Sequence, residues 1–213
     1  LLEASLELSK EFGVAEWMDR TRWIDENSWL PLDTYNRNVD SLVTIPLQYD
    51  WEEVRQRVIE NKGHAFSVLA ADMPAESSGI SSGCTNGLYP IRSLSLKKTN
   101  ETDTIDFVAP DSDKFFRYYE SAYDIPRRDT FNMYAIKQKF TDQTISADTW
   151  YRVSGSNVVT SETLLDDFLY AQFFGVPCRY YTNSDTSKKI DLNSSENTQT
   201  ISNKDSDCEG CTL

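Results

Sequence analysis

Near its C-terminus the chain carries a motif that can perform redox chemistry, CEGC, with thiols at Cys208 and Cys211. A thiolate attacks a disulfide to form a mixed disulfide, and a second cysteine two residues away can resolve it. The pair could instead be half of a zinc site, but there is no second CxxC and the only histidine, His64, is distant in sequence. The spacing favours a dithiol that shuttles reducing equivalents, with a metal-binding or accidental pair as the alternative.

The Ser/Gly-rich segment at residues 71–87, ADMPAESSGISSGCTNG, could bind a phosphate group. Pro74 stands where a helix could begin, and free N–H groups at a helix start, with the hydroxyls of Ser77 and Ser78, suit an anion. The carboxylate of Glu76 would repel a phosphate, so Glu76 must contribute its backbone N–H or face away. A plain connecting loop is the alternative interpretation.

Two consecutive tyrosines, Tyr180 and Tyr181, end a strand-like segment. Adjacent side chains in a regular strand face opposite sides, which predicts one buried ring and one exposed ring. If the backbone departs from strand geometry, the rings could instead stack and bring their hydroxyls together for coupled electron and proton transfer. The spacing does not decide between these two interpretations.

Two segments have complete helix signals. Residues 50–63, DWEEVRQRVIENKG, offer Asp50 as N-cap, Glu53 as its capping-box partner, and Gly63 as the stop, with Val54 and Val58 on one face. Residues 161–177, SETLLDDFLYAQFFGVP, begin with the cap Ser161 and end before Gly175 and Pro177. The buried face of this second helix is predicted to consist of Leu164, Leu165, Phe168 and Leu169.

Further helices and several strands complete an α/β pattern. Residues 111–124 and 130–140 are predicted to be helical, the latter with Met133, Ile136 and Phe140 on one face. The predicted strands are residues 66–71, 91–97, 104–109 and 176–181. Because helices and strands alternate, the fold class is predicted to be α/β.

Composition limits the kinds of partner. The 213 residues carry a net charge of -13, which disfavours nucleic acid and anionic lipid as direct partners. No apolar stretch approaches the roughly 20 residues that a membrane span needs, and the N-terminus lacks the pattern of a signal peptide. We therefore expect a soluble protein in a reducing cytoplasm.

The last part of the sequence differs from the rest. Every aromatic residue precedes position 182, and residues 182–213 are mostly Ser, Thr, Asn and Asp. Such a segment buries too little surface to offset its loss of entropy on ordering, so it is predicted to be a mobile tail with a dithiol near its tip. The isolated cysteines Cys84 and Cys178 are expected to be small buried hydrophobic residues.

Several motifs in this order resemble one known family. The stretches are EFGVAEW, LPLDTY, PLQYDWEEVR, MPAESSGIS with TNG, QKFTDQTISADT, FGVPCRYYTN and CEGC. Together they resemble the C-terminal part of the large catalytic subunit of class I ribonucleotide reductase, over essentially the whole chain. The resemblance implies that residues 1–181 form the later part of a ten-stranded α/β barrel and that residues 182–213 form a disordered, redox-active tail.

The resemblance also implies a reaction, the radical reduction of ribonucleoside diphosphates to deoxyribonucleoside diphosphates. A radical from the small subunit would pass through Tyr181 and Tyr180 to a cysteine that attacks the ribose. Cys208 and Cys211 would then reduce the disulfide formed, and thioredoxin or glutaredoxin would reduce the tail. The substrate diphosphate would be bound by Pro74, Ala75, Glu76, Ser77 and Ser78.

The family's radical-cysteine loop and its active-site reducing pair have no counterpart in the sequence. Neither Cys84 nor Cys178 matches them, so the chain is expected to need the N-terminal portion of the large subunit as well as the small subunit. The resemblance implies no cofactor on this chain and a radical cofactor on the small subunit. The alternative is a non-catalytic α/β interaction module whose terminal CxxC senses redox state or binds a metal.

Overall fold

The computed structural model describes residues 1–25, 27–44, 46–99, 104–153, 158–185 and 198–202. These residues form a mixed α/β structure that divides into two compact units. Unit 1 comprises Leu1–Met73, Arg128–Ala147 and Glu162–Tyr180. Unit 2 comprises the described parts of residues 74–127 and 148–161 together with residues 181–185 and 198–202.

The α-helices are α1 (Leu2–Phe12), α2 (Pro31–Thr34), α3 (Trp51–Glu60), α4 (Glu76–Ser82), α5 (Ser112–Phe115), α6 (Arg127–Gln138) and α7 (Ser161–Phe173). Short 3₁₀ segments occupy Met18–Arg20, Arg22–Ile24, Arg37–Ser41 and Phe116–Tyr118. The strands are β1 (Ser95–Thr99), β2 (Thr104–Val108), β3 (Ala147–Arg152), β4 (Arg179–Asp185) and β5 (Thr198–Ser202).

The predictions of α3, its N-cap and its buried face are confirmed, but of the capping box only the half contributed by Asp50 is found among the described contacts. The Asp50 side chain caps the helix by accepting hydrogen bonds from the N–H groups of Glu52 and Glu53, both at 3.1 Å. Gly63 ends the turn after the helix, because its φ of +119° disfavours a side chain and its N–H donates to Val58 O at 2.9 Å. The buried core of this part of unit 1 consists of Leu2, Leu6, Met18, Trp23, Leu30, Val54 and Val58.

His64 is buried beside α1 and α3. Its Nδ1 is 3.0 Å from Ser5 Oγ, and its ring meets the edge of the Trp23 ring with 4.8 Å between centroids. Burial lowers the pKa of His64 from 6.5 to about 4, and the charge of Asp142 offsets this only in part. His64 is therefore a neutral structural residue at physiological pH.

The prediction for the face of α7 is wrong, although the helix itself is confirmed. Leu165 and Leu169 are each 57% exposed, and the buried residues of the helix are Asp167 and Ala171. Leu164 and Phe168, which were also expected in the buried stripe, are 37% and 46% exposed.

Contacts with α6 explain this orientation of α7. Tyr170 donates a hydrogen bond to Asn132 Oδ1 at 2.8 Å and packs against Phe131, and Arg128 pairs with Asp166 at 2.9 Å. These contacts direct the leucine stripe outwards. The helix ends at Phe173, and the turn after it contains Gly175, whose φ is +79° and where a Cβ atom would collide with Asn36 Cβ.

Two other helix predictions are only partly correct. Helix α6 forms as expected, but it buries a different face, and Phe140 lies beyond its end and is exposed. The face that α6 buries consists of Thr130, Phe131, Tyr134 and Ala135. Both sets of residues fit one face of a helix, so periodicity alone does not distinguish the two faces. Residues 111–124 give only α5 and one 3₁₀ turn.

The strand at residues 66–71 was predicted wrongly. Instead of pairing in a ladder, the N–H groups of Leu69 and Ala70 donate to the carboxylate oxygens of Asp142 at 3.1 and 2.6 Å. Gln143 N–H donates to Ala70 O at 3.2 Å. A turn after α6 therefore takes the place of a neighbouring strand.

The other strand predictions are confirmed in type but shifted at their ends. β1 begins at Ser95 and pairs antiparallel with β2, with Ser95 opposite Val108 and Thr99 opposite Thr104. β4 begins at Arg179 and continues to Asp185, past the boundary expected at position 182. β3 and β5 were not predicted, and β5, which lies within the expected tail, pairs parallel with β1.

The buried His64 predicts a specific dependence of stability on pH. Its pKa is lower in the folded state, so its contribution is present above pH 6.5 and is lost as the pH falls from about 6.5 towards 4. The full loss is roughly 3 kcal/mol. Denaturant unfolding at several pH values gives the free energy of unfolding of the chain and of the His64→Gln variant, and the loss is the difference between their slopes against pH. Equal slopes would show that protonation of His64 is not coupled to folding.

Candidate functional site

The β3–β4 sheet carries several buried polar and charged groups of unit 2. Within unit 1, Ala147 N–H donates to Cys178 O at 3.2 Å, and within unit 2, Val153 N–H donates to Asp185 O at 2.7 Å. Partners that advance together along both chains indicate a parallel pair. Asp148, Trp150 and Arg152 alternate along β3 and share the side of this sheet that we call the Asp148 face. Asn183 and Asp185 of β4 reach the same face, since the Asn183 side chain bonds Asp148 and Asp185 pairs with Arg152.

Asp148 is the central group of this face. It is only 4% exposed, and its Oδ1 accepts a hydrogen bond from the Tyr181 N–H at 3.2 Å. Burial raises the pKa of Asp148 from 3.8 to about 6, an effect opposed by the Tyr181 N–H, by the charge of Arg92 and by a hydrogen bond from the Asn183 side chain. Asp148 is therefore a carboxyl group that changes charge just below neutral pH.

Arg152 links β3 to two acidic residues. Its Nε donates to Asp124 Oδ1 and its Nη1 donates to Asp185 Oδ2, each at 2.9 Å. The arginine side chain is 10% exposed, so removing one acidic partner would leave a buried charge with less compensation, at a cost of several kcal/mol. This ion cluster fixes the C-terminal end of β4 on β3.

Trp150 is the centre of an aromatic cluster on the same face. Its ring centroid lies 4.8 Å from that of Tyr89 and 5.3 Å from that of Tyr123, and the Arg92 guanidinium lies 5.0 Å from the ring. Burial raises the pKa of both tyrosines, so their phenols are protonated at neutral pH. No periodic pattern in the sequence marks this cluster, because its members come from separate segments.

The predicted relay residues both belong to β4. Tyr180 is 44% exposed and Tyr181 is 41% exposed, so neither ring is the buried one that regular alternation was expected to produce. Strand geometry continues through both positions. Within unit 2, the Tyr181 N–H donates to Asp148 Oδ1 at 3.2 Å.

The predicted phosphate-binding residues lie at the start of α4, in unit 2. The helix begins at Glu76 rather than at Pro74, and its geometry leaves the N–H groups of Glu76, Ser77 and Ser78 without an intrahelical acceptor. Ala75 N–H donates to Asn86 O at 2.7 Å, and the side chains of Ser77 and Ser78 are exposed.

At Gly79 the backbone of α4 lies close against residues 84–86, which overlap the TNG motif. A Cβ atom at Gly79 would lie 3.1 Å from Cys84 O and 3.2 Å from Asn86 Cα, so only glycine fits there without displacing the chain. The close approach holds residues 74–78 against the TNG motif at residues 85–87. The structure therefore brings these two segments into one local unit.

Two of the four cysteines, Cys84 and Cys178, lie among the described residues. Cys208 and Cys211 lie outside the described residues. Cys84 is exposed, so the expectation that it is buried is wrong; it follows Gly83, whose left-handed conformation ends α4 and turns the chain outwards. Cys178 is partly buried.

Two other kinds of feature are absent from the described residues. In that part of the chain, no group of three or more His, Cys, Asp or Glu side chains could hold a metal ion. Within the same ranges, no helix is long and apolar enough to cross a membrane.

Unit 1 contains a separate open cleft of about 430 Å³, which the sequence analysis did not anticipate. Leu47, Tyr49 and Trp51 line it, together with Arg55 and Lys139. Both of these cations are engaged, since Arg55 pairs with Asp33 at 2.8 Å and Lys139 pairs with Asp40 at 2.7 Å. Arg37 also lines the cleft, where it donates to Leu32 O at 3.2 Å and its guanidinium lies 4.1 Å from the Tyr35 ring.

Comparison with known proteins gives one consistent result. The family model described as "Ribonucleotide reductase, barrel domain" matches residues 1–112 and 97–182. Ribonucleoside-diphosphate reductase 1 subunit alpha is similar over 86% of the chain, at 39% identity for the Salmonella typhimurium protein and 38% for the Escherichia coli protein. The subunit alpha of Enterobacteria phage T4 is 28% identical over 100% of the chain. The chain spans 24% of the length of the first two relatives and 28% of the third.

The raised pKa of Asp148 predicts that an amide is tolerated there. Because the folded pKa, about 6, lies above the ordinary 3.8, stability is lost as the pH rises through this range. Asp148→Asn removes the charge and is expected to be more stable than the original chain above pH 6, by at most roughly 3 kcal/mol, with no difference below pH 4. Unfolding curves at several pH values measure the difference, and equal destabilisation at all pH values would contradict it.

Proposed function

The chain belongs to the family of ribonucleotide reductase barrel domains, and from this premise we propose that it is the C-terminal catalytic portion of a ribonucleoside-diphosphate reductase large subunit. In this role it takes part in reducing ribonucleoside diphosphates to deoxyribonucleoside diphosphates. The observation that carries the proposal is the family match, which runs from residue 1 to residue 182 and includes both the α4 segment and the tyrosine pair. The later part of a ten-stranded barrel is the corresponding proposal for the fold.

Substrate binding is assigned to the start of α4. Three N–H groups that helix geometry leaves available, and the exposed hydroxyls of Ser77 and Ser78, can donate to the oxygens of a diphosphate. The close contact at Gly79 supports this assignment, since it holds the donors on a fixed backbone before the ligand arrives. The full set of proposed binding residues is Pro74, Ala75, Glu76, Ser77 and Ser78.

Radical transfer is assigned to Tyr180 and Tyr181. A phenol can lose an electron and a proton together, and the exposure of both rings leaves them accessible to partners on either side. The radical would start on the small subunit, which holds the radical cofactor, and would end on a cysteine of the large subunit outside this segment.

Turnover is assigned to the tail. Cys208 and Cys211 would transfer two electrons to the active-site disulfide by thiol–disulfide exchange, becoming a disulfide themselves, and thioredoxin or glutaredoxin would reduce them again. The boundary between the catalytic portion and the tail stays at positions 181 and 182 in this proposal.

Protein partners are also part of the proposal. The leucine stripe of α7 faces outwards, and Phe66 and Val68 are each 50% exposed. Exposed apolar side chains of this kind suit contact with other protein. We assign the partners as the N-terminal portion of the large subunit, in the same or a separate polypeptide, and the small subunit.

The α4 assignment is tested in the complete large subunit with its small subunit. The double variant Ser77→Ala/Ser78→Ala is expected to raise KM for the ribonucleoside diphosphate about tenfold or more, since each hydroxyl lost removes a hydrogen bond to a charged group. Ser81→Ala, on the same helix and also exposed, is the matched control and should leave KM unchanged. Equal KM values for all three proteins would remove the assignment.

The tail assignment is tested by replacing its thiols. Cys208→Ser or Cys211→Ser should suppress repeated turnover supported by thioredoxin but preserve a first turnover in enzyme reduced beforehand, because only the second cycle needs the tail. Cys84→Ser replaces an exposed cysteine outside the proposed chemistry and serves as the control. Loss of the first turnover together with the later ones would place these cysteines in the reaction itself.

A further inference from the structure

On the basis of the proposed function, in which the tail dithiol reduces a disulfide formed beside the substrate, we propose that β5 is a docking strand for the tail. By pairing with β1, it limits the reach of Cys208 and Cys211 and holds them away from the start of α4. Each reduction of the active-site disulfide then requires β5 to leave the sheet. In that exchange the Cys208–Cys211 pair becomes a disulfide and the active-site disulfide becomes two thiols.

The contact between β5 and β1 lies within unit 2, at the edge of a sheet of order β2–β1–β5. Thr198 lies opposite Ser95, and Ser202 lies opposite Thr99. Among the described strands of this sheet, β5 has β1 as its only neighbour. It can therefore leave the sheet without separating β1 from β2, which makes it a separable contact of the tail.

One end of this sheet adjoins α4. Gly83, the residue after α4, lies so close to it that a Cβ atom there would be 3.7 Å from Pro110 Cγ. Pro110 comes two residues after β2, and Ala109 N–H donates to Leu94 O at 2.8 Å, just before β1. The end of the sheet at which β1 begins and β2 ends is therefore the end beside α4.

The strand β5 points away from that end. Because β5 runs parallel to β1, it begins at Thr198 on the side of α4 and ends at Ser202, opposite Thr99. A rise of about 3.3 Å per residue places Ser202 about 13 Å along the strand from Thr198. The chain that leads to the dithiol therefore departs from the far end of the β1–β2 hairpin.

The length of chain after β5 limits how far a docked dithiol can travel. Cys208 follows Ser202 by six residues, which span at most about 20 Å when fully extended. About 13 Å of this length is needed to return along the strand, which leaves about 7 Å beyond the end of the sheet beside α4. The proposed binding residues stand at the start of α4, about 9 Å along the helix from its last residue. A docked tail is thus at the limit of its reach there.

An undocked tail has no such limit. Its tether begins at Asp185, the end of β4, and Cys208 is the 23rd residue after it. A chain of this length spans up to about 80 Å. A dithiol that reacts only when undocked has an observed rate equal to its intrinsic rate multiplied by the undocked fraction. Abolishing the β5 contact should therefore speed the exchange between the tail and the active-site disulfide.

The test weakens β5 in the complete large subunit with its small subunit. Gln199→Pro/Thr200→Pro removes two successive N–H groups, one of which faces β1, since successive N–H groups of a strand point to opposite edges. Lys204→Pro/Asp205→Pro places the same two prolines after β5 and is the matched control. Hydrogen exchange followed by mass spectrometry should show residues 198–202 protected in the original chain and the control, and unprotected in the β5 variant.

The kinetic readout is electron transfer from the tail to the active-site disulfide after one turnover of fully reduced enzyme, measured by rapid quenching and thiol alkylation. Gln199→Pro/Thr200→Pro should speed this transfer about three- to tenfold, as expected if the undocked fraction is about a third to a tenth. The control should leave it unchanged. The rate of the first turnover and KM for the diphosphate should be unchanged in both variants, because the tail takes no part in them.

A longer tether provides a second test that keeps β5 intact. Inserting six Gly and Ser residues after Asn203 extends the maximum reach of the dithiol by about 20 Å. This variant should also speed the transfer, while residues 198–202 stay protected from hydrogen exchange. It decides the matter if the prolines disturb the fold of unit 2, as judged by circular dichroism.

The outcomes distinguish this inference from the proposed function. Unprotected amides at residues 198–202 in the original chain would overturn the inference, since β5 would not be a stable contact. Transfer that is unchanged or slower in the variants with prolines in β5 and with the longer tether would also overturn it, because docking would not limit the dithiol. Normal thioredoxin-supported turnover by Cys208→Ser/Cys211→Ser would instead contradict the tail assignment, while hydrogen exchange would still report whether β5 docks.

Discussion

The arrangement around β3 and β4 depends on one constraint, that ionisable groups removed from water need partners. Asp148 and Arg152 lie on the same face of β3, and each is compensated by residues of β4 and of the segments before it. Because the partners on β4 are Tyr181, Asn183 and Asp185, satisfying the buried charges also fixes the register of β4. Buried charged groups therefore help to hold the part of β4 that follows Tyr180.

Local signals were sufficient where the chain supplies its own partners. Asp50 caps α3 through the next residues in sequence, and Gly63 ends the turn through its own φ angle, so both could be predicted. The face of α7 could not be predicted, because the exposure of Leu165 and the burial of Asp167 depend on contacts with α6. One such contact is the hydrogen bond from Tyr170 to Asn132. Propensity within one helix carries no information about that contact.

The same distinction applies to the candidate site. The α4 segment and the tyrosine pair were recognised from compact motifs, but Asp148 was not singled out, since its importance arises from Tyr181 and Arg92, which are remote in sequence. β3 was missed because its residues are buried on both faces, so the alternation that marks a half-buried strand is absent. The strand at residues 66–71 was predicted wrongly because Asp142 supplies the acceptors that a neighbouring strand would otherwise provide.

The outward leucine stripe of α7 has a thermal consequence for any assembly that covers it. Burial of such side chains is driven mainly by water entropy near room temperature and weakens on cooling, with a negative change in heat capacity. A complex that depends on Leu165, Leu169 and their neighbours would therefore loosen in the cold and tighten on moderate warming. Cold lability of this kind would belong to the assembly that covers α7 and not to the fold of this chain.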